Sequence, residues 1–214
     1  MKINITGSRG FIGSRLVELL KDDHEIVEYD RNIDEDHDIE NWEPDGCEVV
    51  VHLAGLANVR KSIEEPKAYW HTNVELSKRL FSLVHRANMR ILYASSSCAK
   101  QWWLSPYGTS KRAMEAVAPS DSLGMRFTTV YGQNSRKEML VGRIRDKKLA
   151  YVTNHSRDFI HVDDICSAII KNLDNTVLAG TIDVGTGKSV SVKELAESVG
   201  INAVSYTHLR AHET

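Results

Sequence analysis

A tyrosine and a lysine stand four residues apart in the stretch SPYGTSK, shortly after three consecutive serines in YASSS. Tyr107 and Lys111 would share one face of a helix, because side chains at positions i and i+4 are neighbours there. A tyrosine with its ordinary pKa of about 10 is a poor base at neutral pH, but an adjacent cation stabilises the phenolate and lowers that pKa. A serine hydroxyl from YASSS could hydrogen-bond the same substrate oxygen. The spacing predicts a proton-transfer site, although such a pair alone is also common on helix surfaces.

A second group of residues, in TGSRGFIG, has the spacing of a dinucleotide-binding turn. Gly7 permits a tight turn, Gly10 lets the backbone approach a pyrophosphate, and Gly13 lets the next helix press on the sheet. The N-terminus of that helix offers N–H groups to phosphates. Asp30 ends the next apolar run, where its carboxylate can bind an adenosine ribose diol and repel a 2′-phosphate. The pattern therefore predicts NAD, although the neighbouring Arg31 could instead bind the 2′-phosphate of NADP.

The elements that must position these residues alternate between strands and helices. Strand-like apolar runs occur in KINIT, HEIVEYD, CEVVVHLAG, RILYASS and GMRFTTVYG, and helical patterns separate them, including one at about residues 66–87 and one through SPYGTSKRAMEAV. CEVVVHLAG is almost continuously apolar, as a strand covered on both faces must be. This order predicts an α/β fold with a Rossmann-like doubly wound parallel sheet. Beyond Gly132 the pattern is less regular, with strands at KLAYVT, RDFIHV and GTIDVGTG and helices at about 163–173 and in SVKELAESV.

Composition argues against several classes of protein. The chain has 214 residues and a formal net charge of -2, without the sustained basic run that a nucleic-acid binder needs. Three scattered cysteines, Cys47, Cys98 and Cys166, lack the spacing of a zinc or redox site and suit a reducing compartment. We find no signal peptide and no window near the roughly 18 apolar residues of a membrane span. The expectation is a soluble, cytoplasmic protein that binds neither nucleic acid nor membrane.

Other chemistry-bearing residues have ordinary interpretations. The stretch GTGKS at 185–189 is similar to a nucleoside-triphosphate loop, but Ile182 stands where that loop needs its first glycine. His52 and His161 lie in apolar strands, so we interpret them as core histidines with satisfied hydrogen bonds. Trp102 and Trp103 either form a stacking wall for a ligand or pack their own loop.

The segment 204–214, VSYTHLRAHET, resembles the translation of a sequencing-library adapter. We therefore interpret it as non-native, in which case the natural protein continued beyond Ala203. Its His208 and His212 have the spacing of two metal ligands on a helix, but no third ligand accompanies them, and we predict no metal site.

The ordered series TGSRGFIG, HLAGLANVRKSIEEPKAYWHTNV, YASSS, PYGTSK, MRFTTVYG, RDFIHVDD and DVGTGKSVSVKELAE resembles the extended short-chain dehydrogenase/reductase family, in particular nucleotide-sugar epimerases of the UDP-glucose 4-epimerase type. The resemblance implies that Ser97 joins Tyr107 and Lys111 as the catalytic set, and that Lys111 also holds the nicotinamide ribose. It further implies that Arg157 binds the diphosphate of a nucleotide sugar and that Thr129 stands at a substrate-contacting position where the family often has asparagine. The remaining cofactor-contacting residues that it implies are Phe11, Ile12, Asp38, Ile39, Leu53, Ala54 and Gly55.

Departures from the family pattern limit the reactions that we expect this chain to catalyse. Asp183 replaces an asparagine, and Ser97 is followed by Cys98 and Ala99 rather than by the Asp-Glu pair of sugar 4,6-dehydratases. Dehydration is thus disfavoured, which leaves epimerisation through a transient ketone or a sugar-nucleotide or carbonyl reduction. Because several inter-motif segments are short, a cofactor-binding sensor without catalysis is a further alternative.

The same resemblance suggests how the chain is divided. We predict a NAD-binding domain at residues 1–132, with 158–175 packing back on it, and a reduced substrate-binding portion at 133–157 and 176–203. The family often forms dimers through two helices per subunit, which predicts a homodimer interface around residues 66–87 and 110–117.

Overall fold

The structure is a computed structural model, and its strands and helices alternate along most of the chain. The residues that it describes are 1–135, 137, 139–146, 148–149, 151–153, 155–201 and 204–206. The strands are β1 (Lys2–Thr6), β2 (Glu25–Tyr29), β3 (Val49–His52), β4 (Arg90–Ser96), β5 (Leu123–Phe127), β6 (Thr129–Tyr131), β7 (Tyr151–Thr153), β8 (Ser156–His161), β9 (Gly180–Val184), β10 (Ser189–Ser191) and β11 (Val204–Tyr206). The helices are α1 (Phe11–Leu20), α2 (Val59–Glu64), α3 (Pro66–Trp70), α4 (Ser77–Arg86), α5 (Pro106–Val117), α6 (Leu140–Arg145), α7 (Val162–Ile170) and α8 (Val192–Ser198).

Six parallel strands form the main sheet in the order β2-β1-β3-β4-β5-β9. The chain runs from β1 outward to β2 and then returns to the other side of β1 as β3. Strand order therefore reverses between β1 and β3, and ligands of open α/β sheets bind at such a point, beyond the carboxyl ends of the strands. The predicted doubly wound parallel fold is confirmed.

Helices cover both faces of this sheet, which explains the apolar character of its central strands. Val49 and Val51 belong to a core cluster that contains residues of α1 and α7, whereas Val50 packs in a cluster with residues of α4 and α5. Alternate side chains of a strand point to opposite faces, so β3 has to be apolar at every one of these positions. The predicted burial of this strand on both faces is confirmed.

The helical run predicted at 66–87 is interrupted by a change of helix type. It consists of α3, a π-helical segment at His71–Leu76 and α4, and the short helix α2 precedes it. π-Helical turns are frequent at functional sites. This segment carries Asn73, whose contacts are described below.

The strand predicted in GMRFTTVYG divides into two strands of different sheets. β5 lies in the main sheet, whereas β6 pairs with β8 in a second sheet of order β10-β8-β6. The division falls at Thr128, whose N–H donates to the carbonyl of Val184 at 3.2 Å. The prediction of one continuous strand was therefore wrong, since an uninterrupted apolar pattern does not reveal a change of partner strand.

The later part of the chain is built into the main layer. β9 supplies the sixth strand of the main sheet, although it lies within residues 176–203, which we predict from sequence as part of the substrate-binding portion. α7 packs on α1, where Arg15 Nε donates to Asp163 Oδ1 at 2.7 Å. The backbone of β11 pairs with β7, whereas residues 207–214, which include His208 and His212, lie outside the described residues. Among the helices that the structure describes, none combines the length and apolarity that a bilayer crossing requires.

Candidate active site

The glycine-rich turn forms a cradle between β1 and α1. Gly7 has a φ of 74°, and a Cβ at this position would lie 2.6 Å from the amide nitrogen of Ala54. A Cβ on Gly13 would overlap the carbonyl of Gly7. No side chain caps α1, which begins after Gly10, and its first turn contains no acidic residue. The N–H groups at this helix end are therefore suited to phosphate oxygens, and the φ of Gly7 fits the tight turn that the sequence predicts there.

Asp30 lies beside this turn, directly after β2. It is 8% exposed, and its carboxylate accepts hydrogen bonds from the backbone N–H of Arg9 at 3.0 Å and from the N–H of Asn32 at 2.9 Å. The Asn32 side-chain amide donates to the same carboxylate at 2.8 Å. These donors fix a negative charge next to the cradle, whereas the neighbouring Arg31 is exposed to solvent. The arrangement fits the ribose-binding carboxylate that the sequence predicts.

The loop after β3 connects the glycine cradle with the candidate catalytic helix. Leu53 donates its N–H to the carbonyl of Thr6 at 3.0 Å, and Ala54 lies against Gly7. At the other end of the loop, a Cβ on Gly55 would lie 3.5 Å from Lys111 Nζ. Leu53, Ala54 and Gly55 thus span the distance between the two predicted centres of chemistry.

The other predicted cofactor contacts lie at the start of α1 and at a 3-10 turn. Phe11 and Ile12 begin α1 and are half-buried against the main core. Asp38 is half-buried and caps a 3-10 turn by accepting from the N–H of Glu40 at 3.1 Å. Ile39 is only 5% exposed, so its side chain offers little surface to a ligand.

Tyr107 lies in the first turn of α5 and is buried. Ser105 caps this helix by accepting from the N–H of Gly108 at 3.0 Å, and the Tyr107 N–H donates to Ser62 Oγ at 3.1 Å. The ring of Tyr69 packs edge-on against the Tyr107 ring, with the centroids 6.2 Å apart. The position and tilt of Tyr107 are thus set by α2 and α3 as well as by its own helix.

Lys111 is a buried cation one turn further along α5. Its Nζ donates to the carbonyl of Ala94 at 2.8 Å, near the end of β4. Burial disfavours the ammonium and lowers the pKa of Lys111 to about 8, while the negative charge of Glu115 acts in the opposite direction. A buried ammonium one helical turn from a tyrosine fits the proton-transfer hypothesis.

Asn73 is a site residue that sequence reasoning missed. Its Oδ1 accepts from the N–H of Leu56 at 2.9 Å, and its Nδ2 donates to the carbonyl of Leu56 and to Ser110 Oγ, both at 3.0 Å. The amide therefore ties the loop that carries Gly55 to the helix that carries Lys111. Asn73 lies in a π-helical segment, a helix type that is frequent at functional sites, but the sequence pattern did not predict this helix type.

The three serines after β4 have different tasks. Ser95 Oγ donates to Glu115, and Ser96 Oγ accepts from the N–H of Cys98 at 3.2 Å, which starts a 3-10 segment at Ser97–Leu104. Ser97 is half-buried at the start of that segment, directly after β4. Two of the serines thus have structural roles, and Ser97 remains the predicted catalytic hydroxyl.

Arg157 and Thr129 lie on neighbouring elements of the second sheet. Thr129, on β6, pairs with Phe159 of β8, and Arg157 lies earlier on β8. Burial lowers the pKa of the Arg157 guanidinium, and Cys98 and Arg60 are its electrostatic neighbours. Because Cys98 follows Ser97, this cation is near the strand end that carries the predicted hydroxyl.

Two carboxylates, Asp158 in RDFIHVDD and Asp183 in DVGTG, have structural partners. Asp158 accepts from the N–H groups of Thr186 at 3.0 Å and of Gly187 at 2.8 Å, so its carboxylate occupies the donors of the GTGKS turn. Asp183 accepts from Lys100 Nζ at 2.6 Å, and both side chains are about half exposed. Two backbone donors of the GTGKS turn are thus already hydrogen-bonded to a carboxylate.

The two histidines behave differently from each other. His52 is buried and hydrogen-bonded to Thr6 Oγ1 at 2.7 Å and to Ser77 Oγ at 2.9 Å, as expected for a satisfied core histidine. His161 is half-buried and caps α7 by accepting from the N–H of Asp163 at 3.3 Å. The prediction of a core residue was wrong for His161, because the strand ends there and its ring turns to the helix terminus.

Trp102 and Trp103 are both exposed, and their rings pack edge-to-face with centroids 6.0 Å apart. The carbonyl of Trp102 accepts from Thr109 Oγ1 at 3.0 Å, which attaches this segment to α5. Their side chains are therefore available for a contact outside their own segment, and both interpretations given for them stay open.

Comparison with known proteins yields a family and several relatives. A family model described as the NAD dependent epimerase/dehydratase family matches residues 3–101 and 103–185. Protein CapI of Staphylococcus aureus is 31% identical over 227 aligned positions, which cover 79% of this chain and 68% of that protein. A putative UDP-glucose 4-epimerase of Methanocaldococcus jannaschii is 27% identical over 250 positions, which cover 92% of this chain and 81% of that protein.

A solved structure with a similar fold is that of MoeE5 in complex with UDP-glucose and NAD. It has a TM-score of 0.83 and 25% sequence identity, and the similarity covers 99% of this chain and 87% of that chain. The glycine turn, the serines, Tyr107 and Lys111 all lie within the residues that the family model matches.

Proposed function

The chain belongs to the NAD-dependent epimerase/dehydratase family, whose cofactor is NAD, and on this basis we propose that it epimerises a nucleotide-activated sugar through a transient ketone. The observation that supports this proposal most directly is the position of Lys111. Its buried ammonium lies one helical turn from Tyr107 and beside Gly55, whose loop begins at the glycine cradle. The loop of Leu53, Ala54 and Gly55 thus reaches from the dinucleotide cradle to the lysine of the proposed proton-transfer pair.

The residues of the cradle suit NAD. Gly7 and Gly10 would let the backbone approach the pyrophosphate, the uncapped N-terminus of α1 would face its oxygens, and Asp30 would bind the adenosine ribose. When bound, NAD supplies a nicotinamide that takes a hydride from a sugar carbon and later gives it back. The proton transfers and the binding of the sugar would be carried out by protein side chains.

Tyr107, as a phenolate, would remove the proton from the sugar hydroxyl whose carbon loses the hydride. Ser97 would donate a hydrogen bond to the same oxygen, and Lys111 would stabilise the phenolate and hold the nicotinamide ribose. The resulting ketone would turn in the pocket and receive the hydride on its opposite face. Tyr107 would then return the proton, so the carbon is inverted without net oxidation.

Arg157 and Thr129 are our candidates for substrate contacts. A guanidinium presents a planar set of donors that matches the oxygens of a diphosphate, and Arg157 is partly withdrawn from water. Thr129 lies on the strand beside it. We propose that the second sheet and the neighbouring residues 133–157 form the substrate-binding portion of the site.

We also propose a homodimer whose interface includes α3, the π-helical segment, α4 and α5. Trp70 of α3 is 45% exposed and lines a surface depression of about 480 Å³. The residues that line it are Pro66, Lys67, Trp70, His71 and Glu75. A large exposed aromatic beside such a depression is a typical anchor of a protein interface.

The proposed reaction is tested by incubating the purified protein with UDP-glucose and UDP-glucuronic acid without added cofactor. We expect epimer formation, and Tyr107→Phe should lower turnover by about 10²- to 10⁴-fold while NAD binding is kept, because only the proton acceptor is lost. Tyr29→Phe, which removes a phenol hydroxyl that donates to the carbonyl of Asp36, serves as the matched control and should keep wild-type turnover.

The possible outcomes separate the alternatives. Stoichiometric consumption of added NADH, without epimer, would identify a reductase. Undiminished epimer formation by Tyr107→Phe would exclude Tyr107 as the proton acceptor. NAD binding without turnover of either sugar nucleotide would favour the sensor alternative.

A further inference from the structure

Glu115 is an almost completely buried carboxylate on the catalytic helix, one turn after Lys111. Its side chain is 3% exposed. Oε1 accepts from Ser95 Oγ at 2.5 Å and from Arg126 Nε at 2.8 Å, and Oε2 accepts from Arg126 Nη2 at 2.6 Å and from Arg112 Nη1 at 3.2 Å. These bonds attach α5 to both β4 and β5.

Hydrogen bonds of Lys111 and Glu115 join α5 to two successive residues of β4. Lys111 Nζ binds the carbonyl of Ala94, and the carboxylate of Glu115 binds the hydroxyl of the next residue, Ser95. Ser97 follows two residues later on the same strand end. The two hydrogen bonds thus fix the position of the predicted catalytic hydroxyl relative to the helix that carries Tyr107.

Glu115 is also the negative charge that acts on the ammonium of Lys111. Burial acts to raise the pKa of Glu115, but the hydrogen bonds from Arg126, Ser95 and Arg112 together with the charge of Arg126 lower it below its ordinary value. The titratable and charged side chains that surround Lys111, Glu115 and their immediate partners are Tyr107 and Arg112 of α5, His52 of β3, Tyr93 of β4, Arg126 of β5, Tyr69 of α3 and Asp183 of β9. Of these, Asp183 is bound to Lys100 on the surface, and His52 is neutral because burial holds its pKa at about 3.

We propose that Glu115 is a positioning residue, which holds the end of β4 against α5 and supplies the negative charge that keeps the buried Lys111 in its ammonium form. The inference builds on the proposed role of Lys111 in catalysis. An ammonium in a low-dielectric site needs a compensating charge, because its hydration is lost there. Without Glu115, Arg126 would be left as an uncompensated cation nearby, and the charged form of Lys111 would be disfavoured still further.

A direct test is the titration of Lys111 by NMR on protein labelled with ¹³C at the lysine side-chain carbons, with its signal assigned by its absence in Lys111→Met. The pKa of Lys111 is lowered to about 8 by burial. Glu115→Gln should move this midpoint further down, by about one pH unit, since an opposite charge one helical turn away is lost. The measurement needs neither substrate nor turnover, so its failure is distinguishable from failure of the proposed reaction.

Two control variants separate charge from structure. Arg112→Ala removes the solvent-exposed partner of the Glu115 carboxylate. Ser95→Ala removes the hydrogen bond between β4 and Glu115 but keeps the negative charge of Glu115. Both should leave the Lys111 midpoint within about 0.3 pH unit of the wild type, because the charge at position 115 is unchanged. An unchanged midpoint in folded Glu115→Gln would overturn the proposal.

A second variant covers the case in which Glu115→Gln does not fold. Glu115→Gln/Arg126→Met removes both members of the buried pair and leaves no buried charge without a partner, since Arg112, the other partner of Glu115, is exposed to solvent. Its Lys111 midpoint should still fall, though by less, since the lost carboxylate is the group on the same helix face as Lys111. A midpoint equal to that of the wild type in this variant would likewise refute the role of Glu115.

If turnover is measured as well, its alkaline limit should follow the same shift. The wild type should lose activity above about pH 8, where Lys111 loses its proton, and Glu115→Gln should lose it at a correspondingly lower pH. A purely structural role of Glu115 would lower turnover at all pH values without moving this limit.

Discussion

His52 shows at the scale of one residue how burial controls an ionisable group. Burial, helped by the charge of Lys111, lowers the pKa of His52 to about 3, and its two ring nitrogens are hydrogen-bonded to Thr6 and Ser77. The unfolded chain, with an ordinary histidine pKa of about 6.5, takes up a proton that the folded chain refuses. Stability is therefore lost as the pH falls below about 6.5.

From this shift we expect the free energy of unfolding to decrease by about 2 kcal/mol between pH 7 and pH 5 on account of His52. His52→Gln keeps a donor and an acceptor but cannot take up a proton, so urea unfolding at the two pH values should show a smaller difference. His85→Gln, at an exposed position of α4, is the matched control. Equal pH dependence in wild type and His52→Gln would contradict the prediction.

The residues that sequence could predict are those whose spacing is local. Tyr107 and Lys111 are one helical turn apart, and the glycines of the cradle lie within seven residues, so their arrangement follows from the element that carries them. Asn73 and Glu115 were not predicted, because their partners come from distant positions such as Leu56 and Arg126. Nothing in a single sequence indicates which polar side chains will meet after folding.

At the scale of elements, the turn between β1 and α1 depends on the absence of a side chain at Gly7. Gly7 and Gly46 have almost the same φ, 74° and 75°, but only at Gly7 would an added methyl group have neighbours within 4 Å. Any alanine at such a φ costs about 1 kcal/mol. Only the alanine at position 7 would also collide with the backbone of Ala54.

We therefore expect Gly7→Ala to lower the free energy of unfolding by about 1 to 3 kcal/mol more than Gly46→Ala does, as overpacking does elsewhere. Gly7→Ala should also weaken NAD binding, measured by fluorescence titration, because the turn must move away from β3. If the two variants were equally stable and bound NAD equally well, close packing at Gly7 would not be what shapes the cradle.

Element boundaries were predicted less well than element types. The parallel order and the helices around the site follow from periodicity, but the break at Thr128 depends on which strands β5 and β6 meet. The end of β8 at His161 is another case, since the histidine serves as a helix cap there. Tertiary partners decide such boundaries, and the apolar pattern alone does not contain them.

At the scale of the whole molecule, the proposed homodimer makes a prediction about Trp70. Trp70→Asp should shift the protein from dimer to monomer in light scattering after size-exclusion chromatography, because a charge would replace the apolar anchor of the interface. Trp103→Asp is the control, since Trp103 is more exposed but lies outside the proposed interface. Identical masses for wild type and Trp70→Asp would exclude this surface as the contact.

The pairing of β5 with β9 has a consequence for how the chain is made. During synthesis β5 leaves the ribosome well before residues 180–184. The edge of β5 that pairs with β9 therefore stays unpaired until those residues are made. The same strand bears the apolar side chains of Leu123, Met125 and Phe127. An open apolar edge is a template for pairing with other chains. Translation pauses between these two strands should therefore favour aggregation of the nascent protein and increase its need for chaperones.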